Sequence, residues 1–235
     1  MTNNILYVFD IDGTLTPSRQ SMDENFADWF REFMHERNYV FVSGSDYAKL
    51  QEQVPADILR DAFEVFACSG NSHWVFGEEI FRNTWTPSET LLEFLDAELH
   101  WARWPAEKMC SNQIEIRTGL VNFSTIGRDC NSEQRAEYHA WDQQNHERKK
   151  IRADIIKHFP DLECEIGGEI SLDIYPRGLD KSQIIKHLPD LPIYFFGDGI
   201  KPGHNDYSLA SVLNPPSRSF PVLNWVDTWQ QLQTL

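Results

Sequence analysis

The segment Asp10-Ile11-Asp12-Gly13-Thr14-Leu15-Thr16 follows directly on the apolar run Ile5-Leu6-Tyr7-Val8-Phe9, and this junction constrains the chain more than any other feature. The run is short, branched and aromatic, and it ends in a turn signal, as a buried strand does. Gly13 lets the chain bend sharply where the strand stops. Open α/β sheets hold their ligands at that carboxyl end. Two acids placed there repel each other and cost stability unless a cation or substrate lies between them. The structural alternative is a pair of aspartates capping a helix after a strand.

The surrounding pattern supports a parallel sheet. A helix is expected over 23–37, with Phe26, Trp29, Phe30 and Phe33 at helical spacing. Strands are expected at Tyr39–Val42 and Glu64–Ala67 with a helix between them, and strands alternating with helices give parallel sheets. The character changes after Gly77. Residues 87–104 form an amphipathic helix through Leu91, Leu92, Leu95 and Leu99. Segments 113–117 and 120–124 alternate around Thr118-Gly119 like a hairpin. A long charged helix over 132–159 and a second hairpin around Gly167-Gly168 follow. Helix, hairpin, helix, hairpin describes an α+β insert. A helix over 179–188, the strand Ile193–Phe196 and a last strand at 219–223 then resume the parallel pattern. The expected organisation is a core of 1–79 and 178–235 with an insert at 80–177, hinged at Gly77 and Pro176-Arg177-Gly178.

Composition narrows the function. A formal charge of -15 argues against nucleic acid and anionic membranes as partners. A phosphorylated substrate therefore needs a local cluster of Arg, Lys or metal. Cys68, Cys110, Cys130 and Cys164 are spread too widely for a zinc site or disulfide framework. The first residues are polar without a basic start, and no apolar stretch approaches the ~20 residues of a membrane span, so a reducing cytoplasm is the expected setting.

Four loops carry polar groups after core strands. The first holds Asp10 and Asp12. The second offers Ser43 and the amides of Gly44 and Ser45, a phosphate cradle or an ordinary Ser-Gly-Ser turn. The third is Lys181, which alone reads as a surface charge. The fourth is Gly197-Asp198-Gly199 with Asn205 and Asp206 following, and an aspartate after a buried strand suits Mg2+, which prefers oxygen ligands. Together these groups make one site for phosphoryl transfer, which is mostly positioning and charge neutralisation.

The order of these four loops resembles the motifs of the haloacid dehalogenase (HAD) superfamily. That resemblance implies an α/β fold: a Rossmann-like HAD core with a parallel sheet, plus an inserted α+β cap domain of the C2 type. It implies Asp10 as nucleophile, forming an aspartyl-phosphate, and Asp12 as general acid/base. Mg2+ would be held by Asp10, Asp198 and the main-chain carbonyl of Asp12, with Asn205 and Asp206 behind them. Ser43, Gly44 and Lys181 would hold the phosphate.

The insert sharpens the resemblance. It reads Glu115-Ile116-Arg117-Thr118-Gly119-Leu120-Val121-Asn122-Phe123-Ser124-Thr125-Ile126-Gly127-Arg128, then Ser132-Glu133-Gln134-Arg135. This is similar to the eukaryotic-type phosphomannomutase family, whose cap carries EFRxGMLNxSPIGR and then EER. Gly167-Gly168-Glu169-Ile170-Ser171-Leu172-Asp173, Phe195-Phe196-Gly197-Asp198, Pro202-Gly203-His204-Asn205-Asp206 and Thr16-Pro17-Ser18-Arg19-Gln20 match further family motifs. Carried over by position, Arg19, Arg117, Asn122, Arg128, Arg135, Ser171 and Asp173 bind a hexose phosphate. A mutase must hold one phosphate while the other reacts, and Arg forks suit that task. Taken singly, each arginine reads more readily as a surface ion-pair partner of Glu115, Asp129 or Glu133, and only the ordered motif favours the phosphate.

The resemblance implies interconversion of hexose 1- and 6-phosphates, mannose favoured, with Mg2+ and a hexose 1,6-bisphosphate activator. It also implies a cytoplasmic homodimer paired through the cap and a place in mannose metabolism toward GDP-mannose. The alternatives are a HAD sugar-phosphate phosphatase and an inactive sugar-phosphate-binding protein. Two departures stand out. The family's ENG-like turn is Cys68-Ser69-Gly70-Asn71 here, and residues 208–212 lack a carboxylate for a second ion. Trp101, Trp104 and Trp141 suit core packing or a dimer face.

Overall fold

The computed structural model describes residues 5–235. It divides into two compact units, one made of the segment through Asn83 with Leu179–Leu235, the other of Thr84–Gly178. The first unit opens with β1 (Leu6–Phe9), α1 (Glu24–Met34), β2 (Asn38–Val42), α2 (Tyr47–Gln53), α3 (Ala56–Asp61), β3 (Glu64–Ala67), β4 (Ser72–Val75) and β5 (Glu78–Arg82). The second holds α4 (Glu89–His100), β6 (Ile114–Arg117), β7 (Leu120–Phe123), α5 (Ser132–Asn145), α6 (Glu147–His158), β8 (Leu162–Gly167) and β9 (Ser171–Pro176). The chain then returns to the first unit through a 3₁₀ turn (Lys181–Lys186), β10 (Ile193–Gly197), α7 (Tyr207–Val212), β11 (Arg218–Pro221) and α8 (Trp225–Leu232).

The core sheet has seven strands in the order β11-β10-β1-β2-β3-β4-β5. Its first five are parallel, and β4 and β5 add antiparallel at one edge. Side-chain alternation gives β1 two buried faces. Tyr7 and Phe9 pack with Phe26, Phe30 and Met34 of α1, while Leu6 and Val8 pack with Ile184 and Leu209. Asp23 starts α1 by accepting from the Asn25 and Phe26 amides at 3.0 and 3.1 Å. Between β1 and its neighbours β2 and β10 the strand order reverses, which opens a crevice at their carboxyl ends. Both loops with acidic groups emerge there.

The insert is a four-stranded antiparallel sheet, β6-β7-β9-β8. One face is apolar: Val121, Phe123, Leu172 and Ile174 pack on Leu91 and Leu95 of α4 and Ile151 and Ile155 of α6. Among the described residues, no helix is long and apolar enough to cross a membrane.

Four expectations need correction. The helix expected over 132–159 breaks at His146, which takes a left-handed φ of 56° between α5 and α6. The helix expected over 179–188 is the 3₁₀ turn Lys181–Lys186. Gly77 is a hairpin tip, since Phe76 and Gly77 have φ of 49° and 81°, the geometry that closes a two-residue turn between β4 and β5. The expected break after residue 79 would cut β5, and the two units divide after Asn83 instead. Of the insert tryptophans, Trp104 is buried edge-on against Tyr138 and Trp141, whereas Trp101 is 78% exposed.

Candidate active site

The register of β1 with β10 places Phe9 opposite Phe196, so Asp10 and Asp198 leave adjacent strands at nearly the same height. Gly13 has φ 81°, and a Cβ there would lie 2.4 Å from Asp198 Oδ2. Only glycine meets both conditions, so this residue lets the two acidic loops close on each other.

Asp10 is buried, and its Oδ1 accepts from Lys181 Nζ at 2.6 Å. Lys181 is fully buried and donates equally to Asp206 Oδ1 at 2.6 Å. The other oxygen of Asp206 accepts from the Gly199 amide at 2.8 Å. Oxygens of Asp10, Asp198 and Asp206 lie within 4.8 Å of one another, the one such group of three found among the described residues. Three carboxylates and one ammonium leave a surplus of two negative charges. An all-oxygen donor set with that surplus fits a hard divalent cation such as Mg2+.

The protonation pattern carries the same message. Burial pushes Asp10 well above the usual carboxylate range, with Asp206 and Asp198 adding to the rise and Lys181 opposing it. Asp198 is exposed on its solvent side, yet its carboxyl is crowded by Gly13 and Asp206, and loss of hydration first and Asp206 second hold it up to about 7. Burial works against the Lys181 charge, but Asp10 and Asp206 outweigh it and keep the ammonium well above its usual value.

The Asp12 carboxylate lies outside this group of three. Its Oδ1 accepts from the Arg19 amide at 2.7 Å and from Gln53 Nε2 at 2.9 Å, and its Oδ2 from Ser45 Oγ at 3.2 Å. Arg19 belongs to this core loop and has a left-handed φ of 59°. Ser43 is buried after β2, where its Oγ accepts from the Ser45 amide at 3.1 Å. Its carbonyl accepts from the Ser69 amide at 2.8 Å, which joins the Ser43-Gly44-Ser45 loop to the turn at Cys68–Gly70. That turn differs from the family pattern, and its Cys68 and Ser69 both take positive φ. Asn205 lies against Gly199, so it stands in the Asp198 loop beside Asp206.

The insert gathers its expected residues on the polar face of its own sheet. Glu115, Asn122 and Asp173 stand in register across β6, β7 and β9. Asn122 Nδ2 donates to Asp173 Oδ1 at 2.6 Å. Arg117 pairs with Glu115, and Arg128 Nε lies 3.5 Å from the same Glu115 while its Nη1 donates to Ser171 Oγ. Arg135, on α5, is 3.8 Å from Glu169 in the β8–β9 turn. The ion-pair alternative thus holds for Glu115, and Arg135 takes Glu169, not Glu133.

Asp206, expected behind the metal ligands, stands within the acid cluster itself. Two further groups escaped the sequence reading. Gln53 reaches Asp12 from a helix, with no local signal. Arg148 is buried against Asp142 (Nε to Oδ2, 2.8 Å) and donates to the Gly168 carbonyl at 2.8 Å, which pins the β8–β9 turn.

The chain's likeness to known proteins agrees with this geometry. A family model described as eukaryotic phosphomannomutase matches residues 26–235. A phosphomannomutase of Schizosaccharomyces pombe is 32% identical over 246 residues, covering 98% of this chain and 93% of that protein. One of Dendrobium officinale is 32% identical over 212 residues, covering 87% of this chain and 84% of that protein. Among solved structures, the C-terminal domain of the C. albicans trehalose-6-phosphate phosphatase has a TM-score of 0.62 at 17% identity, covering 99% of this chain and 91% of that one. A haloacid dehalogenase-like hydrolase from Bacteroides thetaiotaomicron has a TM-score of 0.56 at 12% identity, covering 97% and 98%. These two share the fold alone.

Proposed function

The chain belongs to the eukaryotic phosphomannomutase family and is a HAD-type phosphotransferase, and from that premise we propose that it interconverts mannose 1-phosphate and mannose 6-phosphate through an aspartyl-phosphate on Asp10. The observation that carries the reading is the buried Asp10–Lys181–Asp206 arrangement beside Asp198, with its surplus of two negative charges. Lys181 holds Asp10 in place and offsets part of the burial that opposes its ionisation. Asp10 Oδ attacks phosphorus, a P–O bond forms, and the bond to the sugar oxygen breaks. Asp12 gives that oxygen its proton and later takes one from the next sugar hydroxyl. Asp10, Asp198 and Asp206 would hold Mg2+, together with the Asp12 carbonyl. Bound there, it would neutralise charge on the phosphoryl oxygens.

Ser43, Gly44 and Lys181 hold the reacting phosphate in this proposal. Arg117, Arg128 and Arg135 take the second phosphate, and Arg19, Asn122, Ser171 and Asp173 complete hexose recognition. A phosphate dianion is a stronger partner for paired guanidinium groups than Glu115, which both Arg117 and Arg128 now share. A hexose 1,6-bisphosphate activator, a homodimer paired through the insert and a cytoplasmic setting belong to the same proposal. Exposed Trp101 supports the pairing.

Phosphorus NMR tests the reading. With Mg2+ and mannose 1-phosphate, a mannose 6-phosphate signal that grows only with a trace of glucose 1,6-bisphosphate is expected. Growth of inorganic phosphate alone would make the chain a phosphatase.

A further inference from the structure

We propose that Gln53 is a positioning residue that aims Asp12 at the sugar hydroxyl and thereby sets how much phosphate is lost to water. This rests on the assignment of Asp12 as general acid/base. Gln53 is the last residue of α2 and is buried despite its amide. Its Nε2 donates to Asp12 Oδ1 at 2.9 Å and to Thr16 Oγ1 at 3.3 Å. Its own carbonyl accepts from the Met22 amide at 2.8 Å, so the end of α2 is tied to the far side of the first loop.

The contacts on Asp12 come from two sources. The Arg19 amide belongs to the same loop as Asp12 and moves with it. Gln53 and Ser45 belong to α2 and the loop before it, so they fix Asp12 to the scaffold. Gln53 Oε1 is enclosed and meets no hydrogen-bond donor among the described residues. Enclosing an unmatched amide oxygen is unfavourable, and a purely packing residue at this place needs no amide. The donor contact to Asp12 accounts for the amide.

The consequence for chemistry is geometric. When the aspartyl-phosphate breaks down, the P–O bond to Asp10 breaks as a sugar hydroxyl oxygen or a water oxygen bonds to phosphorus. The hydroxyl proton passes to an Asp12 oxygen. A bound sugar presents its hydroxyl in one orientation, whereas water turns to meet any nearby base. A loosened Asp12 therefore loses more with the sugar than with water. A misplacement of ~1 Å costs about a hundredfold in rate.

The test compares the wild-type chain with Gln53→Met, which keeps length without a donor, and Gln53→Glu, which keeps shape but repels Asp12. Mannose 1-phosphate turnover with Mg2+ and glucose 1,6-bisphosphate is followed by phosphorus NMR, giving kcat, KM and the ratio of inorganic phosphate to mannose 6-phosphate. Gln53→Met is expected to lower kcat about tenfold to hundredfold, leave KM within twofold and raise the phosphate ratio. Gln53→Glu changes the same quantities in the same direction and replaces Gln53→Met in the comparison should that variant not fold. Unchanged kcat and ratio in a folded variant, or a change in KM alone, overturns the proposal. If the wild type does not isomerise mannose 1-phosphate, the functional reading fails by itself. Gln53 is then judged on release of inorganic phosphate from mannose 1-phosphate, whose leaving sugar oxygen takes its proton from Asp12 in one fixed orientation; a kcat loss of about tenfold or more there supports it and equality with wild type removes it.

Discussion

The two units handle charge in opposite ways. In the core, Asp10, Asp198 and Asp206 outnumber Lys181, and the surplus sits at the end of a sheet buried on both faces. In the insert, Arg117 and Arg128 share Glu115 on the polar face of a sheet whose other face is buried. The core holds negative charge that calls for a cation. The insert holds guanidinium groups on Glu115 and Ser171, partners that a phosphate dianion would outcompete. On this account the chemistry belongs to the core and the recognition of the sugar phosphate to the insert, inside a chain whose total charge is -15.

Substitutions that separate the two roles give the largest effects. Asp10→Asn should lower turnover of every phosphate ester by about 10⁴ or more, since Asp10 is the group assigned to attack phosphorus. Steady-state kinetics on mannose 1-phosphate and p-nitrophenyl phosphate would show equal losses. Next comes Arg148→Met, which leaves Asp142 buried without its cation. Breaking a buried pair costs about 3–5 kcal/mol, and urea unfolding should show that loss. Its effect on mannose 1-phosphate should exceed its effect on p-nitrophenyl phosphate, because the β8–β9 turn carries Glu169 and leads to Ser171.

Arg128→Ala removes one charge-assisted contact, worth about 1.5–3 kcal/mol or roughly tenfold to a hundredfold in kcat/KM for mannose 1-phosphate. A last effect is on stability against pH. Asp198 is held up to about 7 from the usual 3.8, so the folded metal-free chain binds protons more readily than the unfolded one. Its stabilising contribution is present below about pH 4 and is lost as pH rises through about 7. Thermal melts in EDTA should therefore fall between pH 5 and pH 8, and Mg2+ should restore the midpoint most at the higher pH. A midpoint that rises over this range in EDTA would count against the acid cluster.

Much of this arrangement was legible because local and long-range signals agree. β1 is four apolar residues buried on both faces, and the acids that follow can only emerge at its end. The insert hairpins alternate because one face of their sheet is packed and the other polar. The break at His146 left no mark, since a histidine in a left-handed conformation carries no glycine or proline to announce it. The β4–β5 hairpin was hidden because β5, with two glutamates, an arginine and mostly exposed positions, lacks a hydrophobic alternation. Gln53 was invisible for another reason. Its role depends on a contact across 41 residues of sequence that only the packing of α2 creates.

The division of labour is tested most directly by measuring kcat/KM of Arg128→Ala and Asp10→Asn on mannose 1-phosphate and on p-nitrophenyl phosphate. The account predicts that Asp10→Asn loses both activities to the same degree. It predicts that Arg128→Ala loses at least about tenfold more on the sugar phosphate than on the aryl phosphate. Equal losses on the two substrates in Arg128→Ala would contradict it and place the insert arginines outside sugar-phosphate recognition.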